Sequence, residues 1–446
     1  MASRVGLLME TLNLHFDWQR PDGVRGLEFA ATWASLRIRV GDECVSRVFD
    51  RRSKSVRDEI YVPLYPLAEW IVWNWWALLY ETEVRHRGDR QSFSSRHNLR
   101  FAGDGVGMPD MAFLPLGEHV EVTWSSWGHR YQHIEFLGHG TRLLFRSELA
   151  QTFFDFVESV CLRLERENVT ETWLQQGWEM VRKSLDDPEE EAFCKAAALL
   201  GKDPYALVPD DAEVIIRLSE ILPPSIQDDF LLVSDWQGIS DQADLLRQDL
   251  DWARHGQVDW GRLKRIRASS APVLPQALPW QQGYALAAQV RQALGVREES
   301  SPFTDENLAG WLDLSVEDFE NSVHEGTYQA PGMEALVAEN ETGSPAFVLK
   351  RKNRPQNRMF TFCRGLCEYL LSPGAPRLVT GVNTERQKRN RAFAAEFLAP
   401  ADAIRKRLTA GEVSQEDIDD LAGDMGVSPF VVEHQIVNHR LAEVVE

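Results

Sequence analysis

Residues 358–371 read RMFTFCRGLCEYLL. The pair Phe360-Thr361 stands near the start of this stretch, and the apolar pair Leu370-Leu371 closes it. Read as a helix, residues four apart lie on one face. Cys363 and Cys367 form one such pair; Arg364 and Glu368 form the next. Gly365 offers no side chain for chemistry. A guanidinium is permanently charged, so Arg364 has no lone pair to give a metal.

The flanking sequence falls into an ordered series. Upstream lies an amphipathic helix over 284–294, with apolar Leu286, Val290 and Leu294 and with Gly295 placed to end it. Thr304 is placed to cap a second helix, and 346–349 read as a short strand. Downstream comes NRAFAAEFL at 390–398, then a helix pair over 414–439 with a turn at Gly426.

This order resembles the ImmA/IrrE family of bacterial zinc metallopeptidases over roughly residues 280–446. Members carry R-x-F-T-x-A-H-E-x-x-H-x-L, then an acidic residue shortly before A-N-x-F-A-A-x-L-L-x-P. Phe360-Thr361 matches F-T. Phe393-Ala394-Ala395-Glu396-Phe397-Leu398-Ala399-Pro400 matches the second motif, and Leu421-Ala422 with Gly426-Val427-Ser428 is similar to the family's C-terminus. The resemblance implies an intracellular bacterial protein whose active relatives cut a partner repressor and so control stress or mobile-element genes.

The zinc chemistry is missing from the same alignment. Two His at i and i+4 bind zinc in such a helix, and the Glu activates water. Arg364 stands at the first His, Gly365 at the Glu and Glu368 at the second His. The acidic ligand falls near Arg389, with Glu385 the nearest upstream carboxylate. The sequence therefore predicts a catalytically degenerate pseudopeptidase with no cofactor. Zinc re-ligated by Cys363 and Cys367, with Glu385 or a distant His, is the alternative. Two cysteines without a second pair also read simply as small buried residues.

Charge offers a further expectation. Eleven Lys and Arg against two Glu between Lys350 and Arg391 make a +9 island in a chain of net charge −20. Arg364, Glu368, Glu385 and Arg389 are thus candidates for a pocket in which fixed Arg charge replaces the metal and holds an anion. A solvated or internally paired basic surface explains the same run.

The fold class expected is α+β: an N-terminal mixed α/β domain, a helical middle, and a C-terminal, mainly helical IrrE-like domain with a small sheet. The boundaries expected are 1–168, 169–258, a linker at 259–279 containing Pro272, Pro275 and Pro279, and 280–446. In the first part, Ala34, Leu36, Ile38 and Val40 alternate with polar residues, predicting a strand. Gly41-Asp42 then turns the chain into a return strand over 44–49. Residues 66–83 read as a buried aromatic helix. Short strands are expected over 111–114, 119–124 and 133–137. Ser147 is placed to cap a helix reaching about residue 165.

Other function classes are narrowed by composition. The helix pair over 414–439 has a helix-turn-helix look, but it carries six acidic residues and no Lys or Arg. That sign opposes phosphate binding, so nucleic acid is not expected there. Pro63, Pro66, Glu69 and Asn74 interrupt the most apolar stretch, 61–80, and argue against a membrane span. The first sixteen residues lack a signal peptide's apolar core. Five cysteines are too few and too scattered for a disulfide framework. These features predict a cytoplasmic protein; the family resemblance implies that its partner is another protein, a transcriptional regulator or defence component, and the basic island points to an anionic small ligand. Pro109-Asp110, with Glu121 on a following strand, resembles the opening of a PD-(D/E)xK nuclease core, where two carboxylates hold Mg²⁺. Thr123 stands where that core has Lys, and Pro-Asp turns are common before strands. His86, His97, His119, His129, His133 and His139 show no metal-ligand spacing.

Overall fold

The computed structural model describes residues 11–21, 23–83, 90–103, 107–128, 133–269, 277–297, 303–326, 330, 332–352, 354–408 and 411–445. His86, His129, Pro272 and Pro275 lie outside them, as do the first ten residues. The fold is α+β, and the chain divides into two compact units, 1–215 and 216–446. No described helix is long and apolar enough to cross a membrane.

In the first unit the alternating stretch forms strand Trp33–Val40. Leu12–Trp18 pairs with it antiparallel, Leu12 opposite Val40 and Trp18 opposite Ala34. Ala34, Leu36, Ile38 and Val40 are all buried, as period-two alternation requires. Gly41 turns the chain at positive φ. The return is shorter than expected. Only Glu43–Cys44 pairs back, and Val48–Asp50 joins a different sheet, between Ser55–Arg57 and Ile134–Phe136. The Ser46 hydroxyl accepts from the Ile38 amide at 2.9 Å and donates to the Asp58 carbonyl at 2.6 Å, holding this bend.

The aromatic segment is two helices, Tyr65–Trp73 and Trp75–Tyr80, broken at Asn74. Asn74 folds its side chain onto the Trp70 carbonyl at 2.7 Å, a competition with helical bonding typical of Asn. A third sheet orders Gly140–Phe145, His119–Ser125 and Asp110–Pro115, all antiparallel. The long helix runs Arg146–Arg166, starting two residues earlier than expected, with Phe145 at its cap and Ser147 inside its first turn.

Helices Trp173–Asp186 and Pro188–Leu199 open the helical middle stretch and fall within this first unit. A capping box, Thr172 with Gln175, starts the former. Its inner face, Leu174, Trp178 and Val181, joins the same buried cluster as the strands and the aromatic helices.

The second unit is built on a four-stranded sheet ordered Val323–Glu325, Pro345–Leu349, Met333–Glu339, Arg377–Thr380. The first pair is parallel and the others antiparallel. Helix Pro355–Leu371 lies across it. A Cβ at Gly365 would come within 2.9 Å of Val337 Cγ2 and 3.1 Å of Phe347, so helix and sheet meet at that glycine. Helix Pro279–Leu294 crosses helix Glu385–Leu398 in backbone contact, because a Cβ at Gly283 would collide with the Arg389 carbonyl and the Phe393 amide. The stretch read as a linker is partly ordered core. It holds helix Gly261–Ser269, and Trp260, Leu263 and Ile266 are buried in the second cluster. Trp260 packs on Phe319, Phe347 and Phe362 and donates its indole N–H to Ser322 Oγ at 3.1 Å. The closing pair is helices Gln415–Met425 and Pro429–His439, with Gly426 left-handed between them.

Candidate functional site

Three elements converge where the resemblance places catalysis. Helix Pro355–Leu371 presents Arg364 and Glu368, helix Glu385–Leu398 presents Arg386, Gln387, Arg389 and Asn390, and strand Met333–Glu339 presents Glu334. The i, i+4 spacing puts Arg364 and Glu368 on one face of the first helix. Thr384 caps the second helix by accepting from the Gln387 amide, which fixes where its first turn begins.

Arg364 is 3% exposed. Its Nη1 donates to Glu334 Oε2 at 2.6 Å, and its Nη2 donates to the Thr380 carbonyl at 2.6 Å and to Gln387 Oε1 at 2.8 Å. Gln387 is locked in turn, accepting from the Thr380 amide at 3.1 Å and donating to the Leu378 carbonyl at 2.9 Å. Burial lowers the Arg364 pKa to about 10, opposed by Glu334, so the group stays charged at neutral pH.

Glu368 is fully buried. One carboxylate oxygen, Oε1, accepts from both Arg386 and Asn390. The other, Oε2, has no hydrogen-bond partner among the described residues. Burial pushes this carboxyl up to about 7; the Asn390 hydrogen bond and the charges of Arg389, Arg377 and Arg364 pull the other way. Arg386 also pairs with Asp229, from helix Pro224–Val233. That helix lies upstream of every motif that carries the family resemblance.

The sequence-predicted residues are thus only partly gathered. Arg364 and Glu368 face the same cluster, and Arg389 is close enough to act electrostatically on both Cys367 and Glu368. Glu385 starts the second helix and is half-buried. Cys363 and Cys367 are fully buried among apolar side chains. Burial raises both thiols well above the ordinary value, the reverse of what a metal-binding thiolate needs. Sequence reasoning missed Glu334, Asp229, Gln387 and Asn390. The asparagine of NRAFAAEFL was visible, but nothing local assigned it to Glu368.

The basic island is largely paired within the unit. Arg351 faces Glu325, Lys352 and Arg364 face Glu334, Arg358 faces Asp305, and Arg386 faces Glu368 and Asp229. Arg377 and Arg391 donate to backbone carbonyls.

Zinc does not fit these residues. The two positions that would carry His carry a guanidinium and a carboxylate already bound to internal partners. The position of the base is a glycine pressed on the sheet. Among the described residues, no group of three or more His, Cys, Asp or Glu is placed to hold a metal ion.

In the first unit Asp110 and Glu121 lie on one face of the third sheet. Their register separates them: Asp110 is opposite Ser125, and Glu121 is opposite Leu114. Four residues of strand put them about 13 Å apart, too far to share one Mg²⁺. His97 is a buried structural residue bound to Glu81 and the Phe113 carbonyl.

No curated protein matches the chain. Residues 317–437 match the peptidase family model described as the IrrE N-terminal-like domain. The matched segment contains the sheet, the Arg364 helix, the Asn390 helix and most of the closing pair, so over these residues the chain is similar to the IrrE N-terminal-like peptidase domain, with no group of three metal-ligating side chains gathered among the described residues.

Proposed function

We propose that this IrrE-like domain is a pseudopeptidase, a regulatory or scaffold element that engages a protein partner without cutting it. The observation that supports this most is the internal satisfaction of the old site: Arg364 is spent on Glu334, and Glu368 on Arg386 and Asn390. Buried charges bound to protein partners in this way hold a frame in place, and the guanidinium at the first His position has no lone pair to give a metal. The partner that fits is a transcriptional regulator or a defence component in the cytoplasm, since cutting relatives act on a repressor. Stress response or phage defence is the corresponding setting.

An anionic ligand is a second reading, favoured by one group. Arg389 Nε is buried without a hydrogen-bond partner among the described residues, and a phosphate or carboxylate is what a guanidinium edge pairs with. A phosphate titration that raises the melting temperature, and does so less in Arg389→Ala, supports this reading; an unchanged melting curve removes it.

Elemental mass spectrometry of protein purified without added metal or chelator tests the main proposal. We expect zinc well below one per chain and no cleavage of unstructured protein substrates. Stoichiometric zinc, lost in Cys363→Ala or Cys367→Ala, would overturn it.

A further inference from the structure

We propose that a cavity on the outer face of the third sheet in the first unit binds a small organic cation, a protonated amine or guanidinium, on the Asp110 carboxylate. The cavity has a volume of about 350 Å³ and is lined by Asn98, Asp110, Thr123, Ser125, His139 and Thr141, among others. That volume is within the range of small-molecule sites.

The carboxylate is built in place. Asn98 donates from Nδ2 to Asp110 Oδ1 at 2.6 Å, and Ser125 donates to Oδ2 at 2.7 Å. The Asn98 amide cannot easily turn round, because its Oδ1 accepts from the Arg100 amide at 3.0 Å at the start of the short helical turn Leu99–Phe101. Both donors are neutral, so they orient the carboxylate and leave its charge. Among the described residues no Lys or Arg forms an ion pair with Asp110, although the chain's surface is rich in such pairs. The wall around it carries the hydroxyls of Thr123, Ser125 and Thr141 beside Ala112 and Trp124, with the exposed His139 also lining it.

A metal ion is the wrong occupant. Glu121 is four strand positions away, and the described residues contain no metal-ligating group of three. An ammonium or guanidinium fits instead. It supplies several N–H donors to a carboxylate with lone pairs to spare, and the Thr123 and Thr141 hydroxyls accept further bonds. This site is independent of the reading of the C-terminal domain.

Isothermal titration of the full chain with putrescine, spermidine and agmatine, and with sorbitol as a neutral polyol, tests the proposal. We expect one of the cations to bind saturably at one per chain. Asp110→Asn should weaken it about tenfold or more, and Thr141→Trp, which fills the cavity and keeps the carboxylate, should weaken it similarly. Melting curves report whether each variant folds, and if Asp110→Asn does not, Thr141→Trp decides. No cation binding up to roughly 10 mM, binding indifferent to a folded variant, or preference for sorbitol would each overturn the proposal.

Discussion

The His97 imidazole is held between two acceptors, with Nε2 3.0 Å from Glu81 Oε2 and Nδ1 2.9 Å from the Phe113 carbonyl. Arg96 adds two bonds to the same carboxylate, at 3.0 and 2.7 Å. Glu81 and His97 are each only 1% exposed. Glu81→Ala removes the acceptor shared by the part-buried Arg96 guanidinium and the buried His97 ring, and we expect a loss of about 3–5 kcal/mol in urea unfolding of the first unit.

The same carboxylate makes the first unit acid-sensitive. Although burial alone would raise it, hydrogen bonds from His97 and Arg96 hold Glu81 at about 2, below its ordinary 4.5. The folded value is the depressed one, so its contribution is present above about 4.5 and lost as pH falls towards 2. Urea midpoints between pH 6 and pH 2.5 should fall faster for the native chain than for Glu81→Gln.

Glu368 has the opposite sign. Its folded value, about 7, is raised above the ordinary 4.5. Its contribution is therefore full below about 4.5 and lost as pH rises through 7. The melting temperature of the second unit should decline between pH 5 and pH 8 in the native chain. Glu368→Gln should flatten that decline, and an equal slope in both would refute the assignment.

Restoring the motif should not restore the enzyme. In a chain carrying Arg364→His, Gly365→Glu and Glu368→His, the new Glu meets Val337 and Phe347. Gly365→Ala alone should cost about 1–3 kcal/mol by overpacking. The triple variant should be less stable still and should take up no stoichiometric zinc by elemental analysis.

Thiol accessibility gives a further test. Cys161, Cys194, Cys363 and Cys367 are buried and Cys44 is half-buried. Burial pushes Cys161 and Cys194 up to about 12. Under native conditions a thiol reagent should modify Cys44 first, and the other four only on unfolding. Rapid native labelling of Cys363 or Cys367 would contradict their placement.

Period and punctuation made much of the fold legible. Ala34 to Val40 alternates and is a strand, Gly295 ends one helix and Thr304 starts the next. What was hidden depends on distant partners. Nothing near Asn74 announces that its side chain will break the aromatic helix. Leu174 and Trp178 look like any amphipathic face until the first unit's core is seen to need them. The site shows the same division. Arg364, Gly365 and Glu368 could be read from one helix, because a motif is local. Glu334 and Asp229 could not, because a salt bridge across 30 or more residues leaves no spacing to recognise.

The bridge from Glu368 through Arg386 to Asp229 has a practical meaning for anyone dividing the gene. Asp229, Trp260 and Gly283 all precede residue 317, where the family match begins, yet each is packed into or bonded to the second unit. A fragment cut to the limits of the family would expose the Trp260 pocket and strand Arg386 with half its counter-charge. The smallest piece worth expressing therefore starts before residue 224.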